Sequence, residues 1–279
     1  MVVGQQNNIS VGFIIQARMK STRLPGKIMM NIPLVNGKPL LKWITDELKK
    51  SKFKSKIIIA TSTNIENDVL ERFSEKEEVF CFRGEEEDVL SRFIKIIKGD
   101  SFDVIVRLTA DNPLIDLDIL ENTILKHFQN NKEYTKTIGL PIGMNFEIIN
   151  PNSLLSIIEH DLSNSDREHV TQYLKNNSKF QQEIIFGNQN IAKLRLTVDY
   201  PSDFMVVSSV LSVIDKRVSI EEIKMMVNKY PWIFETNQNN YQKKQYISQK
   251  DEIYDAIDIL DKLEFPHSAN HLKNIYEKL

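Results

Sequence analysis

Residues 14–27 read Ile-Ile-Gln-Ala-Arg-Met-Lys-Ser-Thr-Arg-Leu-Pro-Gly-Lys. The apolar run from Val11 to Ile15 that leads into them has the β-branched, uninterrupted character of a strand buried on both faces. It passes directly into a loop carrying Arg18, Lys20, Arg23 and Lys27, the hydroxyls of Ser21 and Thr22, and a Pro-Gly pair. Fixed cations and free backbone N–H groups at the carboxyl end of a sheet strand are the usual means of holding phosphates. Neither GxxxxGK[ST] nor GxGxxG is present, so the two commonest phosphate loops are excluded.

Working outward, the first half of the chain alternates strand and helix signals. Pro39 to Lys50 spaces Leu40, Leu41, Ile44 and Leu48 along one helical face. Lys56–Ala60, Val79–Phe82 and Phe102–Leu108 read as strands, and Asn67–Phe73 and Glu85–Lys98 as helices. This rhythm predicts an α/β fold with a mostly parallel sheet flanked by helices. Further on, Asn152–His160 and Asp166–Lys175 read as helices, Ile191–Val198 as a strand, and Ser202–Ile214 as a helix. A Gln-, Asn- and Lys-rich stretch, read as a linker or a frayed helix, then precedes one or two C-terminal amphipathic helices broken at Pro266. The expected division is a flexible N-terminus (1–10), a main domain (11–236), a linker (237–250) and a helical C-terminal extension (251–279).

Composition narrows the function classes. The 279 residues are 41% hydrophobic, and 36 basic residues against 38 acidic ones give a net charge near −2. Charge alone therefore gives no reason to expect nucleic-acid binding, and cations gathered in one loop point to a small anionic ligand. A single cysteine, Cys81, excludes an internal disulfide framework and a cysteine-built zinc site. No apolar run approaches the roughly 18 residues of a membrane span. The first ten residues lack the basic and apolar regions of a signal peptide, so a cytoplasmic setting is expected.

Polar clusters close three of the expected strands: the basic loop, Thr109-Ala110-Asp111, and Thr197-Val198-Asp199. Two carboxylates facing a cationic loop suit Mg²⁺, which takes one or two carboxylates together with phosphate oxygens and water. The pattern fits metal-assisted transfer of a nucleotidyl group, driven by positioning and charge stabilisation.

Six blocks carry a family resemblance in one order along the chain: IIQARMKSTRLPGKIM (14–29), FRGEEEDVLSRF (82–93), VRLTADNPLID (106–116), PIGMNFEII (141–149), REHVTQYL (167–174) and RLTVDYPSDF (195–204). The chain resembles the cytidylyltransferases of the spore-coat-polysaccharide and CMP-acylneuraminate/CMP-Kdo synthetase superfamily. The resemblance implies a nucleotide-diphospho-sugar transferase (GT-A-like, Rossmann-like) fold, CTP as co-substrate, Mg²⁺ as cofactor, pyrophosphate as leaving group and a homodimer. Its acceptor would be a sugar, a sugar acid or a phosphomonoester.

By the same resemblance, Arg18, Ser21, Arg23 and Lys27 would hold the triphosphate, with Arg18 and Lys27 meeting the charge on the leaving pyrophosphate. Asp111 and Asp199 would be the metal ligands. Gln16 and Ala17 would approach the cytosine or ribose, and Asp88 and Arg92 would line the nucleotide pocket. Glu147, Arg167, Glu168 and His169 would face the acceptor. Relatives mostly carry Gly where this chain has Lys20, whose side chain is expected to point to solvent, the alternative being an added phosphate contact. The first members of the acidic run Glu85–Asp88 are expected to be a solvated helix start, and Asp203 a first-turn helix residue. Two other readings remain: a glycosyltransferase on the same fold, which a D-x-D triad at a strand end would favour, and an inactive binding homologue. The triad Asp116-Leu117-Asp118 is not so placed.

Overall fold

The computed structural model describes residues 8–187, 191–214, 217–241 and 248–276. Two compact units divide between Asn239 and Asn240. In the first, β1 (Ser10–Gln16) leads through the basic loop to a small ribbon of β2 (Asn31–Ile32) and β3 (Lys38–Pro39). Then follow α1 (Leu40–Leu48), β4 (Lys54–Ser62), α2 (Asp68–Lys76), β5 (Phe80–Gly84), α3 (Val89–Lys98), β6 (Val104–Thr109) and α4 (Leu117–Gln129). The chain continues through β7 (Tyr134–Ile138), β8 (Glu147–Ile149), α5 (Pro151–Ser156), α6 (Asn164–His169), α7 (Gln172–Asn176) and β9 (Gln182–Phe186). Helices α8 (Pro201–Val213), α9 (Ile220–Lys229) and α10 (Pro231–Glu235) complete the unit.

Among the described residues, seven strands form one sheet in the order β5-β4-β1-β6-β8-β7-β9. The β5-β4-β1-β6 portion and the β7-β9 pair are parallel, and β8 runs antiparallel to both its neighbours. Strand β1 is central because both its faces are apolar. Val11, Phe13 and Ile15 join the core packed by α1, α2, α4, α8 and α9, while Ile14 joins the opposite core with α3, α5 and α7. Each such side chain, taken fully from water, contributes about 1.5–3 kcal/mol. Gln16 ends β1 on the same side as Ile14, by the alternation of strand residues.

The structure corrects several expectations. Ile9 is buried and the Ser10 amide donates to Asp103, so order begins inside the segment expected to be flexible; residues 1–7 lie outside the described residues. Helix α3 starts at Val89 rather than Glu85, because the Asp88 carboxylate accepts from the Ser91 amide and fixes the N-terminus there. The single helix expected over 166–175 is two, since Val170 takes φ +51° between α6 and α7. Ile191–Val198 is not a sheet strand. Its partner is the 139–143 turn, reached by one isolated bridge between Ile142 and Arg195. Strands β7 and β9 occupy the sheet positions the sequence left unassigned. Finally, Asn237 is buried and its amide donates to the Arg195 carbonyl and to Asp203 Oδ1, each at 2.9 Å, so it belongs to the first unit and not to a linker.

In the second unit, α11 (Gln249–Lys262) is capped by Ser248, and α12 starts at Pro266 and runs to Tyr276. Tyr254 and Tyr276 meet edge to face at 5.8 Å, and Lys273 pairs with Asp261 at 3.0 Å.

Candidate active site

The basic loop is pinned at both ends. The Ala17 amide donates to the Ala60 carbonyl on β4, and the Met19 amide to Asn67 Oδ1 at 2.8 Å. Gly26 closes the loop by donating to the Met19 carbonyl at 3.1 Å with φ +70°, a conformation that a side chain resists. That closure delivers Lys27 into the interior, 7% exposed. Its ammonium lies 2.9 Å from Asp111 Oδ2 and 2.9 Å from Asp199 Oδ1.

Asp111 stands just past the end of β6. Its Oδ1 accepts from the Thr109 hydroxyl at 2.7 Å, and Asn112 in turn donates to Thr109. Burial pushes the Asp111 carboxyl up, but Lys27 and the Thr109 hydroxyl outweigh it and hold the group below its ordinary range. Asp199 reaches the same point without a strand. The Ile142 amide donates to the Leu194 carbonyl and the Leu196 amide to the Ile142 carbonyl, both at 2.8 Å. Gly143, at φ +98°, lies so close to this segment that a Cβ there would stand 2.6 Å from the Thr197 nitrogen. Behind Asp199, the fully buried Asp203 accepts from the Asp199 and Tyr200 amides at 3.0 Å each and pairs with Arg195. Arg195 also reaches Asp199 Oδ2 at 3.3 Å, and Arg23 reaches Asp199 Oδ1 at 2.9 Å.

These groups open onto a cleft of about 350 Å³. Of the residues the sequence singled out, Gln16, Ala17, Arg18, Ser21, Arg23, Lys27, Arg92, Asp111, Glu168 and Asp199 all line it. Lys20 is exposed and borders it. Arg92 is 3% exposed; its guanidinium donates to the Ala60 and Glu86 carbonyls, and its Nε has no hydrogen-bond partner among the described residues. Burial, aided by the nearby Arg18, lowers its pKa. Glu86 and Glu87 line the wall rather than beginning a solvated helix.

Four expected residues stand elsewhere. Asp88 spends one carboxylate oxygen on the α3 cap and pairs through the other with Arg167 at 2.9 Å. Arg167 is thereby turned to that surface pair, and His169 is not among the lining side chains. Glu147 sits within the sheet: it binds Arg107 at 2.5 Å and accepts from the Tyr134 and Thr171 hydroxyls at 2.6 and 3.0 Å. Burial raises its pKa, yet Arg107 and the Tyr134 hydroxyl bring the net shift below the ordinary range. Sequence reading gave no role to Arg195 or Asn67, and named Thr109 only as part of the polar cluster ending at Asp111, although two residues from Asp111 it was legible as a local hydroxyl partner. Asp203 was read only as a first-turn residue, and the ion pair it makes with Arg195 lies behind that role.

The D-x-D triad is structural. Asp116 caps α4 and accepts from the Ile220 amide at 2.9 Å, and Asp118 pairs with Arg217.

A mostly parallel sheet with a cationic loop at the end of β1, and two carboxylates converging on it from the end of β6 and from a segment outside the sheet, is the arrangement of a nucleotidyltransferase. The chain belongs to the cytidylyltransferase family, which it matches over residues 12–254. It is 35% identical over 229 residues to the spore coat polysaccharide biosynthesis protein SpsF of Bacillus subtilis, covering 78% of this chain and 94% of that protein. The structure of a cytidylyltransferase from Leptospira borgpetersenii superposes with TM-score 0.75 at 30% identity, covering 85% of this chain and all of that one, 100%. A CMP:2-keto-3-deoxy-manno-octonic acid synthetase solved with CTP shares the fold at 13% identity and TM-score 0.54, over 73% of this chain and 98% of that one.

Proposed function

We propose that the cleft binds CTP and that the enzyme transfers its cytidylyl group to an oxygen of a sugar, a sugar acid or a phosphomonoester, for cell-surface polysaccharide synthesis. The acceptor oxygen attacks the α-phosphorus, the bond to the β-phosphate bridging oxygen breaks, and pyrophosphate leaves. The observation that carries this reading is Lys27, a buried ammonium held between Asp111 and Asp199 at the base of a cleft edged by Arg18, Lys20 and Arg23. Backbone pinning at Ala17, Met19 and Gly26 keeps those cations from reorganising as charge shifts to the leaving group.

Mg²⁺ is part of the proposal. Among the described residues, no group of three or more His, Cys, Asp or Glu side chains could cage an ion. Two carboxylates converging within 2.9 Å of one cation nonetheless fit a metal that draws its remaining ligands from phosphate and water. Asp111 and Asp199 would hold it, and when bound it would supply charge neutralisation on the phosphates. A homodimer and a cytoplasmic setting belong to the same reading, and sedimentation velocity tests the dimer.

The test is CTP with a panel of acidic sugars and phosphomonoesters, read as pyrophosphate release, with UTP and ATP as controls. Turnover with CTP that Asp111→Asn abolishes, in a protein that still folds, is expected. Turnover unchanged in Asp111→Asn would refute the assignment of that residue, and release only from a nucleotide sugar would favour the glycosyltransferase reading.

A further inference from the structure

A line of polar side chains crosses the sheet behind the cleft. Arg107, on β6, donates through Nη2 to Gln16 Oε1 at 3.2 Å and pairs through Nη1 with Glu147 Oε2 at 2.5 Å. Arg107 and Glu147 are directly opposed in the β6–β8 register, and Gln16 ends the neighbouring strand β1. The other oxygen of Glu147 is held by two hydroxyls, Tyr134 from β7 and Thr171 from the α6–α7 junction. Of these residues, Gln16 lines the cleft.

A guanidinium has no acceptor, so Gln16 must turn its amide oxygen toward Arg107. Its Nε2, which makes no hydrogen bond to another described residue, is then left for a ligand, offering N–H donors and no acceptor. An unrestrained glutamine would present either end. Glu147 is what keeps Arg107 in place: it opposes the charge, and its own orientation is fixed by two further donors. We propose that Arg107 and Glu147 are positioning residues that fix the Gln16 amide as a hydrogen-bond donor toward the nucleotide. The atom it meets is an acceptor, such as a base carbonyl, a ring nitrogen or a ribose oxygen. Gln16 precedes Arg18 by two residues, within the reach of a nucleotide whose triphosphate lies on the basic loop. The inference rests on the nucleotide reading of the cleft.

Removing Arg107 alone would strand the Glu147 charge, so the informative variant removes both: Arg107→Met with Glu147→Gln. Affinity for CTP with Mg²⁺ is measured by titration calorimetry on the full chain, alongside Gln16→Leu and the triple variant, with folding followed by circular dichroism. The expected result is CTP binding weakened about tenfold in the double variant and in Gln16→Leu, with no further loss in the triple variant. Arg107 and Glu147 then act through Gln16. Folded double variant that binds CTP as the unmodified chain does would reduce the pair to a structural one and overturn the inference. Losses that add in the triple variant would overturn it as well. If the unmodified chain itself binds no CTP, the nucleotide reading falls, a result distinguishable from normal binding that the variants leave intact.

Discussion

The Val198 amide donates to the Asp111 carbonyl at 2.9 Å. That bond, made just before Asp199, sets a segment from outside the sheet against the end of β6 and brings the two carboxylates to one ammonium. Backbone pairing alone, without any side chain of the basic loop, thus sets the two carboxylates side by side.

Lys27→Met should be costly in two ways. It leaves Asp111 and Asp199 facing each other with their shared cation gone, and a lost partner in a buried pair costs about 3 kcal/mol or more. Urea unfolding should report that loss, and pyrophosphate release should fall to background.

Asp203→Asn tests the support behind Asp199. Asp203 is fully buried and binds two backbone amides, Arg195 and Asn237. The substitution leaves the Arg195 charge short of its partner, for an expected loss of about 3 kcal/mol. Turnover should drop more than CTP affinity, because Asp199 moves while the basic loop stays; steady-state kinetics separates the two.

Gly143→Ala should act at a distance from any ligand. The residue sits at φ +98°, and the added Cβ meets the backbone at Thr197 and Leu196. Strain of about 1–3 kcal/mol is expected. A lowered melting temperature together with a lowered kcat is the outcome that ties this turn to the position of Asp199.

Stability should decline on acidification in two stages. His127 is buried and pushed down to about 4 by desolvation, from an ordinary 6.5. Between pH 6.5 and 4 the unfolded chain takes up a proton that the folded chain refuses, so stability falls with pH by about 3 kcal/mol and then levels. Asp111 and Glu147, both held below the ordinary carboxylate range, add a further loss as pH falls below about 4 and through their folded values. His127→Gln should flatten the first stage alone, which urea midpoints at pH 7 and pH 5 would show.

The parts of this architecture legible in the sequence are those written locally. The two-faced apolar run of β1 announces a central strand, and the composition of residues 18–27 announces an anion site. Asp111 follows directly on a strand and was legible for that reason. Asp199 lies in the cleft, but the premise for expecting it there was wrong: alternating Leu196 and Val198 look like a sheet strand, whereas their partner is a turn whose pairing no periodicity reveals. Strand β7, Tyr-Thr-Lys-Thr-Ile, is too short and too polar to stand out. Glu147 was expected at the acceptor only through the family resemblance, and the apolar residues beside it gave no sign of a buried partner. That partner is Arg107, set by the register of an antiparallel strand.

Burial divides the cations of the site into two kinds. Lys27 and Asp199 are withdrawn from solvent and Asp111 is half-buried beside them, whereas Arg18 and Lys20 stand exposed at the rim. Mobile ions screen exposed charges over about 8 Å at physiological ionic strength and reach enclosed ones far less. Added salt should therefore slow the capture of an anion while leaving the Lys27 centre assembled, so that ionic strength alone separates the arrival of the substrate from the integrity of the place that receives it.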